Sequence, residues 1–176
     1  MQLPARMKTT SLLKTLLCAA TFFSFNPNSY SQPTPEPIGR GKSNQYAVKI
    51  LCGKAPGGDA AAVVAAGSYF TAVNVHNPGR TAIAFVKKVA LANAWQRPGK
   101  VSNFVEGKLG PDEAMEVDCR ELAKLSGTPP GTLFGGYLVF ETKEGTELDI
   151  VAVYTAASGP GVASFHTERV PKRQVQ

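Results

Sequence analysis

The fold is decided by LFGGYLVFET (Leu133–Thr142), followed by KEGT (Lys143–Thr146) and ELDIVAVYTA (Glu147–Ala156). Each long run is rich in β-branched and aromatic residues, and neither carries helical periodicity. The second run is apolar on both faces around Ile150–Tyr154, as expected of a strand with neighbours on both sides. Gly145 in the short connection predicts a hairpin between the two runs.

Working outward, the same pattern recurs. Tyr46–Cys52 and Tyr69–His76 are strand-like, and Ala82–Ala92 follows the second after a turn at Asn77-Pro78-Gly79-Arg80. Pro78 pre-sets φ and Gly79 accepts a positive φ, so a tight hairpin turn is predicted there. Val101–Leu109 forms a weaker strand. Met115, Val117 and Cys119 alternate with Ala114, Glu116 and Asp118, the period of a half-buried strand. Asp118 with Glu121 three residues later reads as the N-terminal cap of one short helix, Cys119–Leu125. Val162–Val170 closes the pattern, and Asp59–Ala66 is a weak second helix candidate. The fold class is therefore all-β: an antiparallel, Ig-like β-sandwich of about seven or eight strands with one short helix. A true immunoglobulin domain is not implied, because Trp95 lies too far beyond Cys52 and Val117 stands where the tyrosine corner would be.

The N-terminus reads differently. Arg6, Lys8 and Lys14 precede an uncharged apolar run, Thr15–Phe25, and Ser29-Tyr30-Ser31 places small residues at the −3 and −1 positions of a cleavage site before Gln32. This is the pattern of a signal peptide over residues 1–31, with Met7 an alternative start. Leu17 before Cys18 is not the small residue of a lipobox. The apolar run is shorter than the roughly 20 residues of a membrane-spanning helix. A Pro-rich linker over residues 32–44, a domain over 45–170 and a basic tail over 171–176 complete the expected organisation.

The whole chain carries 19 basic and 13 acidic residues, and the three basic residues before Ser31 account for half of its net charge of +6. Nucleic acid is therefore not an expected partner. An exported chain, periplasmic or extracellular, retains Cys52 and Cys119, and this pair predicts a disulfide. Two buried thiols are the alternative. No ligand spacing suggests a metal site, and no motif calls for a cofactor.

YFTAVNVHNP (Tyr69–Pro78), LGPDEAMEVDC (Leu109–Cys119) and ELDIVAVY (Glu147–Tyr154) resemble segments of a family of uncharacterised exported bacterial proteins. Over Tyr46–Ala156 the order of elements is similar to that of the sensory rhodopsin transducer fold. That resemblance implies a small β-sandwich that assembles into oligomers and acts by binding; it carries over no functional residue. Export sets this chain apart from a cytoplasmic transducer.

Candidate site residues are few. Asn74, His76 and Asn77 sit together at a strand end, where loops of a sandwich rim bind ligands; a turn cap and a half-exposed strand residue are the structural alternative. Trp95 beside Arg97 could stack on a sugar ring, or cover the core edge. His166 and Glu168, two apart, share one strand face. They form half of an acid–base pair or an ordinary surface pair. The leading expectation is a non-catalytic interaction module with an unknown protein, envelope or surface partner, able to form a homo-oligomer and without a stable membrane span. A carbohydrate or small-ligand binder is second, and a hydrolase using His166 and Glu168 third.

Overall fold

The computed structural model describes residues 41–56, 64–93 and 97–176. The signal-peptide reading, most of the linker, the start of the weak Asp59–Ala66 helix candidate and Trp95 lie outside them; residues 64–66 are not helical.

Ten strands and one helix make up the described residues. In chain order they are β1 (Ser43–Ala55), β2 (Gly67–His76), β3 (Ile83–Ala92), β4 (Pro98–Val101), β5 (Val105–Leu109), β6 (Ala114–Val117), α1 (Cys119–Ser126), β7 (Phe134–Lys143), β8 (Asp149–Ser158), β9 (Gly161–Arg169) and β10 (Arg173–Val175). Every pairing is antiparallel. The fold is the all-β, sandwich-like architecture that the period-2 runs dictate.

One layer, the first sheet, contains β3, β7 and β1, with β4 and β5 sharing the outer edge of β3 and β10 flanking the start of β1. The second sheet contains β2, β8 and β9, with β6 beside β2. The long strand β1 joins them: Ser43–Cys52 pairs with β7, and Gly53–Ala55 pairs with β2. The switch falls at Gly53, whose φ is +107° and where a Cβ would overlap the Thr132 carbonyl. Only glycine fits that bend without strain.

Alternation places the core. Tyr46, Val48 and Ile50 of β1 face inward with Leu138 and Phe140 of β7 and with Phe85 and Val89 of β3. From the second sheet, Val73 and Val75 meet Ile150 and Ala152 across the β2–β8 ladder. Phe85 and Phe140 pack edge-on, with ring centroids 5.8 Å apart, a favoured aromatic geometry.

The helix begins as the cap signature predicts. One Asp118 carboxylate oxygen accepts from the amides of Arg120 (3.0 Å) and Glu121 (2.9 Å), satisfying two otherwise free helix donors. Gly127, with φ of +70°, ends the helix. Leu122 is fully buried, and Glu121 reaches Lys87 of β3 at 3.7 Å, so α1 lies against the first sheet.

Several expectations are corrected. The runs Leu133–Thr142 and Glu147–Ala156 are not hairpin partners: β7 belongs to the first sheet and β8 to the second. The turn at Asn77–Arg80 likewise passes the chain between layers, since β2 and β3 do not pair. At Lys143–Thr146 the turn chemistry holds, with Gly145 at a φ of +78°. At Asn77–Arg80 Gly79 does not take the positive φ expected of it, and the Asn77 side chain shapes the bend instead, accepting from the Gly79 amide and donating to the Thr81 carbonyl. In both places each strand buries its apolar face by packing across the sandwich from its predecessor. The predicted strand Val101–Leu109 is split. Ser102 leaves the strand path, its amide donating to the Val89 carbonyl (2.8 Å) and its hydroxyl accepting from the Val89 amide (2.9 Å). The domain limits also move. Ser43 and Asn44, assigned to the linker, are buried in β1, and the tail residues Arg173–Val175 pair with Ser43–Gln45. A three-residue strand among charges leaves no periodic trace in sequence.

Candidate binding face

The two predicted cysteines are joined. Cys52 ends the part of β1 that pairs with β7, Cys119 opens α1, and the Cys52–Cys119 disulfide brings their Cα atoms to 5.6 Å. It ties the helix to the strand that switches sheets. The Thr71 amide donates to Cys119 Sγ at 3.1 Å, so the bridge also touches β2.

Asn74, His76 and Asn77 separate on folding. Asn77 is fully buried. Its Nδ2 donates to the carbonyls of Thr81 (2.8 Å), Gly110 (2.8 Å) and Leu109 (3.3 Å), and its Oδ1 accepts from the Gly79 amide (2.9 Å). It is the organiser of two turns, with its amide hydrogens engaged and no surface open to a ligand. His76 is half-exposed, its Nε2 3.0 Å from Asp112 Oδ1. Asn74 is exposed on the outer face of the second sheet, opposite Glu116 and Val151.

His166 and Glu168 do share a face, and the structure adds a third member. The His166 ring stacks on Tyr154 at 6.0 Å, and the Tyr154 hydroxyl donates to Glu168 Oε2 at 3.1 Å. Partial burial, then the Glu168 charge, push the Tyr154 phenol well above its ordinary range. Tyr154 was hidden in the sequence because it reads as one more apolar residue of a buried strand.

The two clefts differ in character. One, of about 300 Å³, is lined by Tyr46, Glu147, Asp149, Arg169 and Lys172. Its charges pair internally, Arg169 with Asp149 at 3.0 Å and Lys172 with Glu147. The other, of about 330 Å³, lies between Phe70, Ala72, Val153 and Thr155 of the second sheet and Asp118 and Arg120 at the start of α1. Its floor is apolar.

That floor continues across the sheet. Phe70, Thr155 and Phe165 lie in one cross-strand row on the outer face; Ser68, Ala157 and Val162 form another. Phe70 is 52 % exposed, Phe165 66 % and Val162 69 %. Isolated exposed apolar residues are ordinary, but these share one face with the apolar floor of a cleft. Sequence reasoning missed this face because an apolar run on both sides of β8 reads as complete burial; only one side is covered by the other sheet.

Among the described residues, no helix is long and apolar enough to cross a membrane. No group of three or more His, Cys, Asp and Glu residues among them is arranged to hold a metal ion. No family model matches the chain, and no curated protein matches it. A solved structure titled "Crystal Structure of Thermotoga maritima 1070" aligns with 74 % of this chain and 91 % of its own, at 11 % identity and a TM-score of 0.43.

Proposed function

We propose that this chain is an exported, non-catalytic interaction module that takes a protein or envelope partner on the outer face of its second sheet. The observation that carries this reading is the exposed apolar row of Phe70 and Phe165 running into the cleft beneath Arg120. Interfaces are built around such aromatic anchors with a polar or arginine rim. Export rests on the basic, apolar and small-residue order before Gln32, and the Cys52–Cys119 bridge is what an oxidising compartment permits.

The test compares one substitution on each sheet. Phe70→Asp places a charge on the proposed face, whereas Tyr137→Asp does so at a comparably exposed aromatic of the first sheet. Envelope material retained by the wild type should be lost with Phe70→Asp and kept with Tyr137→Asp. Equal retention by both variants would overturn the assignment of the face. The N-terminal sequence of the exported protein should begin at Gln32.

A second reading has its own support. Tyr154, His166 and Glu168 combine a stacked ring pair with a carboxylate, the pairing of platform and hydrogen-bonding group that suits a sugar ring. A glycan array checks it: binding that survives His166→Ala would remove these residues from the site.

A further inference from the structure

β9 is exposed at all nine positions and, among the described residues, pairs only with β8, so within them it is an open edge of the second sheet. No proline or lysine interrupts Val162–Arg169, although both commonly protect such edges. The hydrogen-bond parity of the strand is fixed by its end. The Val170 amide donates to the Ile150 carbonyl at 2.9 Å, while Arg169 lies opposite Val151. In an antiparallel ladder this makes Arg169 and Val151 a non-hydrogen-bonded pair. By alternation, the N–H and C=O groups of His166 and Glu168 point to β8, and those of Phe165, Thr167 and Arg169 point to the open side.

From this we infer that the edge pairs with β9 of a second copy of this chain, antiparallel, with Thr167 on the twofold axis. In that register each Thr167 faces its equivalent, and Phe165 of each copy faces Arg169 of the other. All three outward-facing residues then meet outward-facing residues, and the ladder closes without an unpaired group between them. The intervening pairs set His166 of each copy opposite Glu168 of the other, at the closer spacing of about 4.5 Å between Cα atoms. A histidine opposite a carboxylate is a favourable cross-strand pair. Arg169, already held by Asp149 at 3.0 Å, covers the Phe165 ring of the other copy.

Neighbouring registers are poorer. His166 on the axis would oppose two histidines. Phe165 on the axis would require ladder bonds from Ala163, the extra residue where the β8–β9 register shifts. Glu168 on the axis would set two carboxylates face to face, so the Thr167-centred alignment is the one these side chains and the bulge at Ala163 favour. The paired sheets would set Phe165 and Val162 of both copies into one continuous outer face, so the inference deepens, and rests on, the interaction-face reading above.

The full chain is examined by sedimentation over a dilution series. The expected result is a species of twice the chain mass, halved by Thr167→Lys, which sets two like charges on the axis; the thermal melt of the halved species should stay cooperative. Thr167→Cys gives a register test that does not depend on stability. It should form a covalent dimer on non-reducing gels, and Val101→Cys, an exposed position on the first sheet, should not. A wild-type monomer throughout the series, a Thr167→Lys species of unchanged mass, or equal crosslinking from both cysteine variants would overturn the proposal. Loss of self-association with Phe70-dependent envelope binding intact would remove the dimer and leave the interaction face standing; loss of that binding alone would do the reverse.

Discussion

The Thr71 hydroxyl lies 3.0 Å from both the amide nitrogen and the carbonyl oxygen of Leu51. It donates to one and accepts from the other at the place where β1 leaves the first sheet for the second. Leu51 pairs with β7 on one side only, so without Thr71 its backbone would face the interior unpaired. One buried hydroxyl substitutes for a missing ladder rung. Thr71→Val keeps the shape and removes both bonds, leaving a buried donor and acceptor unsatisfied. It should cost about 2–4 kcal/mol, read from the shift of the urea midpoint, while Thr71→Ser should retain most of the stability.

Thr71 also touches the bridge, its amide donating to Cys119 Sγ, and the disulfide offers a second measurement. Cys52 and Cys119 are 67 residues apart in the chain, so their link constrains a large loop of the unfolded state. The chain-entropy model gives about 4 kcal/mol for such a loop, as an upper figure. A reducing agent, or Cys52→Ala with Cys119→Ala, should lower the unfolding midpoint accordingly. An unchanged midpoint would mean that α1 is held by Leu122 and the Lys87–Glu121 contact alone.

Stability should decline at alkaline pH. Burial, followed by the nearby Glu147 charge, raises the Tyr46 phenol above its ordinary value, against a hydrogen bond from the Leu148 amide. Tyr154 is raised by burial and by Glu168, and Lys172 by its hydrogen bond to Glu147. A raised folded-state pKa means that the native state holds its proton more tightly than the unfolded chain. Each contribution is therefore complete below the unfolded value, about 10 for these groups, and is lost as pH rises through the folded value. Denaturation midpoints should be flat to about pH 9 and fall above about pH 10. Tyr46→Phe should lessen the fall, at the expense of leaving the Leu148 amide without its acceptor at every pH.

What the sequence makes legible is local. Asp118 with Glu121 announces a helix, Gly127 ends it, and the alternation around Val117 marks a strand; all three follow from contacts within a few residues. The destination of a strand is not local. Lys143–Leu148 and Asn77–Ala82 look like hairpin loops because Gly145 and Pro78–Gly79 are turn residues, and turn chemistry is the same whether the chain folds back in its sheet or crosses to the other. The outer face of the second sheet is illegible for a related reason. Phe70 and Phe165 carry the same apolar signal as Phe140, and only the position of the first sheet decides which ring is covered.

Asn77 and His76 test the division between holding the fold and meeting a partner, because they are adjacent and were grouped by sequence. Asn77 joins the Asn77–Thr81 turn to the Leu109–Gly110 end of β5 through four side-chain bonds, all made by a residue with no exposed surface. Asn77→Ala strands carbonyls from both turns and the Gly79 amide, and should cost about 2–4 kcal/mol. Asn77→Asp should be no better, since a carboxylate cannot donate to Thr81 or Gly110. His76→Ala removes only an exposed contact with Asp112 and should cost less than about 1 kcal/mol. If His76→Ala proved the more destabilising change, the turn organisation assigned to Asn77 would be wrong. If instead it weakened partner capture at unchanged stability, the interaction face would extend along β2 from Phe70 through Asn74 to His76, all on the same side of the strand.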